Sequence, residues 1–354
     1  MSESLGRRQT GTWVGYPCCQ LFQTFRHALE HPSQLCWHFI CCLSECEARY
    51  CSRDLQVACK LAHCFYVRPC SLNSCRSGSL SLLCELVQAE AHHFNHKVTS
   101  AALYRLSILC HAYFTQLQSA QLTSQEAQQA AWATYVDPAL KTLGQLLLQH
   151  MDSCDAFTVS ISMWAYGHLQ YGEEAVLAAL SSRGMQLLHE FNSIDCAAAL
   201  VGLAKHTGPR TRSQREFVEQ LMHHTHALLS HVDEWAPRDI ISIVWALSQL
   251  GAAGPARRPL LQGLIEMSSW RLHEFGVREL VITAYSLGRL RMRLPPQMVK
   301  LTNQIMKRLD ELNPQDAANL VYACAKVQFK QPELLQKLPD IVLPQLNSFK
   351  PQVS

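Results

Sequence analysis

The segment PRDIISIVWALSQL, residues 237–250, decides the fold. Proline suits a first helical turn, and the carboxylate of Asp239 complements the positive end of a helix dipole. Ile240, Ile243, Leu247 and Leu250 recur at helical spacing and predict a helix with one buried side. Gly251 just beyond is a stop signal.

The same pattern returns along the chain. Around Trp164, Val201, Trp245, Tyr285 and Tyr322 the sequence reads TVSISMWAYGHL, DCAAALVGLAKH, DIISIVWALSQL, ELVITAYSLGRL and DAANLVYACAKV, at anchor spacings of 37, 44, 40 and 37 residues. Six positions before the anchors stand Thr158, Asp195, Asp239, Glu279 and Asp316. Ten before them, four of the five units carry Phe191, Trp235, Phe275 or Leu312. Agreement in several columns at once marks an internal repeat.

Each unit resolves into a hairpin. Its first helix is long and amphipathic, as in Pro296–Leu312, where Met298, Leu301, Ile305 and Leu309 share a face. A short turn leads to the second helix, which starts at Pro237 or Pro314 in the clearest units. Pro295-Pro296 and Gly254-Pro255 punctuate the links. Small residues fill two columns of the second helices: Ala165, Gly202, Ala246, Ser286 and Ala323 just after the anchor, then Gly167, Ala204, Ser248, Gly288 and Ala325. Small side chains let helices approach closely, and one hairpin cannot bury its apolar faces alone. The expected fold is all-α, an α-solenoid of about five 37–44-residue helical-hairpin repeats. The expected organisation is a Cys-rich region over 1–96, a degenerate helical region over 97–131 with a weak unit near Leu106, and the array over 132–354. Residues 346–352 match 309–315, so the array is expected to end inside a sixth repeat.

The sequence Pro-x-Asp/Glu, a run of aliphatics, then Trp/Tyr-Ala-Leu-Ser/Ala-x-Leu resembles the octotricopeptide repeat family, over roughly 132–352. That family is close in style to the helical repeats of FAST-kinase-like proteins. The resemblance implies an α-solenoid that binds RNA in chloroplasts or mitochondria and controls transcript stability, processing or translation. The RAP domain that often follows such arrays has no counterpart in this sequence. Tetratricopeptide and ankyrin signatures do not fit. HEAT and armadillo arrays fit the length but lack the Trp-Ala-Leu core, and a protein–protein scaffold of that kind is the alternative.

On a wheel of the second helix, the positions seven and three before the anchor, the anchor and the position four after it lie opposite the apolar side. The column four after the anchor reads His168, Lys205, Gln249, Arg289 and Lys326. Arg238 and Arg278 stand seven before their anchors, and Ser242 and Asn319 three before. Basic and amide side chains beside aromatic rings suit single-stranded RNA: bases stack on rings, and cations neutralise phosphates. These nine residues are therefore the candidate RNA contacts. The competing reading makes them an ordinary solvent face, with the aromatic anchors packing between repeats. Charge is uneven along the array. Residues 132–253 hold seven Lys/Arg against twelve Asp/Glu, whereas 254–330 hold twelve against six. The basic half would attract a polyanion.

Twelve of the sixteen cysteines precede residue 85. No Cys-x2-Cys pair occurs, so the usual zinc spacing is missing, and reduced, inert thiols are expected. His92-His93-x2-His96 and His223-His224-x-His226 have no carboxylate at zincin spacing and are read as helix-surface histidines. No P-loop, nucleotide-binding glycine fingerprint or nucleophile elbow occurs. No enzyme activity, cofactor, metal, membrane span or small-molecule substrate is expected. The expected partners are single-stranded RNA and other RNA-processing proteins. Arg7, Arg8 and Arg26 in a stretch with only Glu3 and Glu30 acidic are compatible with organelle targeting.

Overall fold

The computed structural model describes residues 75–120, 125–250 and 257–344. The Cys36–Cys70 cluster and the match at 346–352 lie outside them. Among the described residues every regular element is helical. Helices α1 (Cys75–Glu90) and α2 (His96–Ala120) come first. α3 (Gln125–Ala131) then runs through a π-helical segment, Trp132–Val136, into α4 (Asp137–Gln149). The hairpins continue with α5 (Ala156–Leu169), α6 (Glu174–Gln186), α7 (Ser193–Lys205), α8 (Arg212–Ala227) and α9 (Pro237–Gln249). α10 (Arg257–Ser268), α11 (Val277–Arg289), α12 (Pro295–Met306), α13 (Pro314–Val327) and α14 (Pro332–Val342) complete the series. Second helices stack on second helices along the series, and first on first from α4 to α10, which is an α-solenoid.

The five repeated segments are the second helices α5, α7, α9, α11 and α13. Side-chain caps hold three of their starts, while α9 and α11 follow Ala236 and Gly276, which provide none. Asp155, Asn192 and Asn313 accept hydrogen bonds from the backbone N–H of Thr158, Asp195 and Asp316 at 2.8, 3.0 and 2.8 Å. Each such cap contributes about 1 kcal/mol. The carboxylate column six before the anchor also works across units. Ser160 of α5 donates to buried Asp195 of α7 at 2.8 Å.

The first helix of the fifth unit is shorter than its apolar pattern predicts. It ends at Met306 rather than Leu312, and Leu309–Glu311 forms a 3-10 turn. Arg308 leaves helical geometry at φ −138°, and its guanidinium donates to the carbonyl of Phe275 at 2.8 Å. Leu309 is buried at the turn rather than on a helix face.

That bond belongs to a recurrent joint. In the first four units the carbonyl of the residue ten before the anchor accepts from a basic side chain of the following unit. Arg183 reaches Cys154 at 3.1 Å, His224 meets Phe191 at 2.9 Å, Arg271 reaches Trp235 at 3.0 Å and Arg308 reaches Phe275. Cys154 is fully buried and fills in the first unit the place that the other units give to Phe191, Trp235, Phe275 and Leu312. Arg271 is the most committed of these cations: it also donates to Val232 at 3.1 Å and pairs with Glu274 at 2.8 Å. Arg271→Met is expected to lose about 2–4 kcal/mol in urea denaturation, because it strands buried carbonyls. Arg271→Lys should recover little of that loss, since an ammonium cannot reproduce the planar fork. An Arg271→Met midpoint equal to wild type would remove the joint from the account.

The second helices approach more closely than the first. A Cβ on Gly167 would lie 2.1 Å from the Gly202 carbonyl oxygen, so these helices meet backbone to backbone. First helices meet through side chains: the Phe217 ring of α8 fills the space before Gly184 of α6.

α1 and α2 form a further hairpin that stacks on the first unit. Its anchor is Tyr104 rather than Leu106. Tyr104 packs on Trp164 at 5.2 Å between ring centroids, buried Phe94 stands ten before it, and Asn95 caps the helix as Asn192 does in α7. Leu106 is fully buried two positions on.

Candidate nucleic-acid interface

Burial follows the helical wheel. Val159, Cys196, Ile240, Leu280 and Ala317, five before the anchors, are buried. So are Ser162, Ala199, Ile243, Thr283 and Leu320, two before them. Seven before the anchors, Phe157, Ile194, Arg238, Arg278 and Gln315 are all exposed. Three before, Ser242 and Asn319 are half-buried. The anchors grade from buried Val201 through half-buried Trp164, Trp245 and Tyr285 to exposed Tyr322.

The structure thus brings the nine candidates onto one face but in different states. Arg238 and Arg278 are free of short hydrogen bonds to described residues. Arg238 stands 4.0 Å from Asp239, whose carboxyl burial pushes up. Arg278 acts only at a distance, drawing the Asp316 carboxyl down against the stronger upward push of burial. Asn319 accepts from Gln315 at 3.1 Å, leaving its amide N–H groups for another acceptor. Lys326 lies over the Tyr322 ring at 5.4 Å, and Tyr322 pairs with Tyr285 at 5.3 Å. Two rings and an ammonium therefore sit together on the exposed side of α11 and α13.

The column four after the anchor falls in the last turn of each second helix, where carbonyls lack intrahelical partners and cations complement the dipole. Arg289 answers that need: its Nε donates to the Ser248 carbonyl of α9 at 2.9 Å. One side of its guanidinium is a helix cap, and the rest stays in solvent. Gln249 turns onto Ser248 at 3.3 Å. Lys205 is half-buried, and burial pulls its ammonium pKa down.

His168 departs furthest from a free basic residue. It sits between Trp164, at 4.6 Å, and His111, at 5.0 Å. Burial first, then the charges of Lys205 and His111, bring its pKa down to about 4. Its ordinary value is 6.5. The unfolded chain therefore takes up a proton between pH 6.5 and about 4 that the folded chain refuses. This group's contribution to stability is present above pH 6.5 and is lost as pH falls toward 4. The melting temperature of wild type relative to His168→Gln should accordingly fall on acidification from pH 7 to 5. A constant difference would contradict the neutral state of His168.

Other groups stand apart from this face. The thiols of Cys84 and Cys154 are pushed up to about 11 and that of Cys196 to about 12, by burial first, so all three stay protonated and inert. Glu90, His92 and His93 bring donor atoms within 4.8 Å of one another at the end of α1. The Cys42, Cys46 and His38 arrangement lies outside the described residues. No helix among the described residues is long and apolar enough to cross a membrane.

Two features escaped the sequence reading. Tyr104 and His111 of α2 extend the aromatic face by one hairpin, and their signal was Phe94 ten positions before Tyr104. The basic joints had no sequence signal beyond a cation late in the first helix, because each partner is a backbone oxygen.

Comparison with known proteins matches residues 136–332, more than half of the chain, to the model of one family, described as RNA-editing substrate-binding complex 6 protein. No curated protein matches the chain.

Proposed function

We propose that this chain, which belongs to the RNA-editing substrate-binding complex 6 protein family, binds single-stranded RNA on the exposed face of its second helices. One observation carries the reading. In the last three units the exposed columns hold Arg238, Arg278, Arg289 and Lys326 beside Trp245, Tyr285 and Tyr322. Flat rings near exposed cations suit the bases and phosphates of an unpaired strand. Duplex RNA offers its bases edge-on inside a groove, and stacking on these rings would be closed to it. The family name points the same way, since it speaks of RNA and of substrate binding.

The function is that of a scaffold rather than an enzyme, in organellar post-transcriptional regulation of RNA stability, processing or translation. The basic stretch around Arg7, Arg8 and Arg26 supports the organellar part. A complex, also in the family name, implies protein partners. Phe157, 42% exposed, and Ile194, 46% exposed, favour a HEAT-like protein contact confined to the starts of α5 and α7.

Photocrosslinking of the full chain to oligouridylate carrying 4-thiouridine tests the placement. Crosslinked peptides should come from α9, α11 and α13. Crosslinks confined to the first helices α8, α10 and α12 would reject this face.

A further inference from the structure

A second aromatic cluster lies between the hairpin before the first repeat and the first repeat itself. Tyr104 and Trp164 are 5.2 Å apart and tilted by 43°, and Trp164 and His168 are 4.6 Å apart and tilted by 53°. His111 meets His168 edge-on at 75°. Rings splayed in this way leave part of each face open, and none of the four is buried. Lys205, in the next unit, is near enough to bear on His168. No carboxylate does so, although residues 132–253 carry twelve acidic residues against seven basic. Among the described residues no ion pair to Lys205 is found, and the buried Nδ1 of His168 has no hydrogen-bond partner.

The chemistry is specific. At neutral pH His168 is an uncharged ring, because its proton is lost far below pH 7. The cluster therefore offers partly exposed aromatic faces and a single half-buried ammonium. An acidic peptide would use the ammonium but not the rings. An apolar peptide would leave Lys205 desolvated and unpaired, which is costly. A nucleotide supplies both parts, a π-face and a phosphate.

We propose that Tyr104, Trp164, His168 and His111, with Lys205, form a second nucleotide-stacking subsite for single-stranded RNA. It lies on α2, α5 and α7, away from the Arg278 and Lys326 end of the face. The subsite rests on the reading that RNA follows the second helices, and it lengthens that footprint by the hairpin before the first repeat. Val201, the one aliphatic anchor, separates it from the rings of the later units.

The test titrates the full chain with fluorescein-labelled oligouridylate. Tyr104→Leu keeps an apolar contact on Trp164 but removes a stacking face, and should weaken binding about tenfold. Lys205→Gln should lower the salt slope by about 0.7, the share of one phosphate, without changing the melting temperature. If Tyr104→Leu melts early, Lys205→Gln alone decides. Wild-type slope in Lys205→Gln, with clear weakening in Arg278→Gln and Lys326→Gln, overturns the subsite and leaves the proposed function standing. Absence of RNA binding by the wild-type chain overturns both.

Discussion

Gly202→Leu is expected to lose at least about 3 kcal/mol of stability, the upper range of overpacking costs. The reason is the backbone-to-backbone contact between α5 and α7. A Cβ at Gly202 would lie 2.2 Å from the Met163 carbonyl oxygen and 2.7 Å from the Trp164 nitrogen. Gly167 faces Gly202 with the same closeness from the other side. Both collisions are with backbone, so no side chain can rotate away, and α5 and α7 must part. Parting them opens Met163, Ala165 and Leu200, which are buried between the two helices. Gly208→Ala is the control: its Cβ would meet only the ring of His206, at 2.8 Å, at the end of a flexible side chain. Urea denaturation followed by circular dichroism should separate the two variants clearly. A Gly202→Leu protein that unfolds with wild type would contradict the backbone-to-backbone stacking of the second helices. Because a solenoid's stability is a sum over neighbouring units, the loss should concentrate at this junction.

The second large effect concerns RNA. Arg238→Gln, Arg278→Gln and Lys326→Gln together should weaken binding to oligouridylate on the order of 10–100-fold at low salt, and reduce the salt slope by about 2. All three side chains are exposed. Arg238 stands 4.0 Å from Asp239 and Lys326 lies over Tyr322, and an exposed cation–π pair contributes only about 0.5–1 kcal/mol. The triple variant should therefore remain folded. Arg258 and Lys307, exposed on the first-helix side, provide the comparison. Their conversion to glutamine changes net charge without touching the proposed face and should leave the slope nearly intact. Equal weakening by both sets would show that the polyanion responds to net charge and not to this surface.

Much of the fold was legible because the second helices repeat their contacts. A backbone approach such as Gly167 on Gly202 tolerates only small residues, so the two small columns persist from unit to unit. Capping side chains recur at α5, α7 and α13 because a helix start leaves donors to satisfy. First helices were harder to delimit. Their contacts run through side chains of varied size, Phe217 against Gly184 in one junction and Leu229 against Gly263 in another, so no single column is fixed. The hairpin before the first repeat was obscured by length. Tyr104 and Trp164 are 60 residues apart, against 37–44 elsewhere, because α2 runs 25 residues and the next first helix is extended through a π-helical segment.

The candidate surface was legible as columns and illegible as chemistry. Helical periodicity alone places Arg238, Arg278, Arg289 and Lys326 on one side. It could not show that Arg289 spends one nitrogen on the Ser248 carbonyl, or that His168 is a neutral ring beside Trp164. Nor could it sort the basic half of the array. Arg271 and Arg308 belong to joints between units and contribute charge only at a distance. The count of twelve basic residues over 254–330 thus overstates the cations left for a ligand.

The most direct test of the account is fluorescence anisotropy of the full chain with short single-stranded RNAs at two salt concentrations. Four cations on the face predict binding that weakens with salt at a slope of about −3, with matched duplex competing poorly. No binding at low salt, or a duplex that competes as well as the single strand, would contradict it.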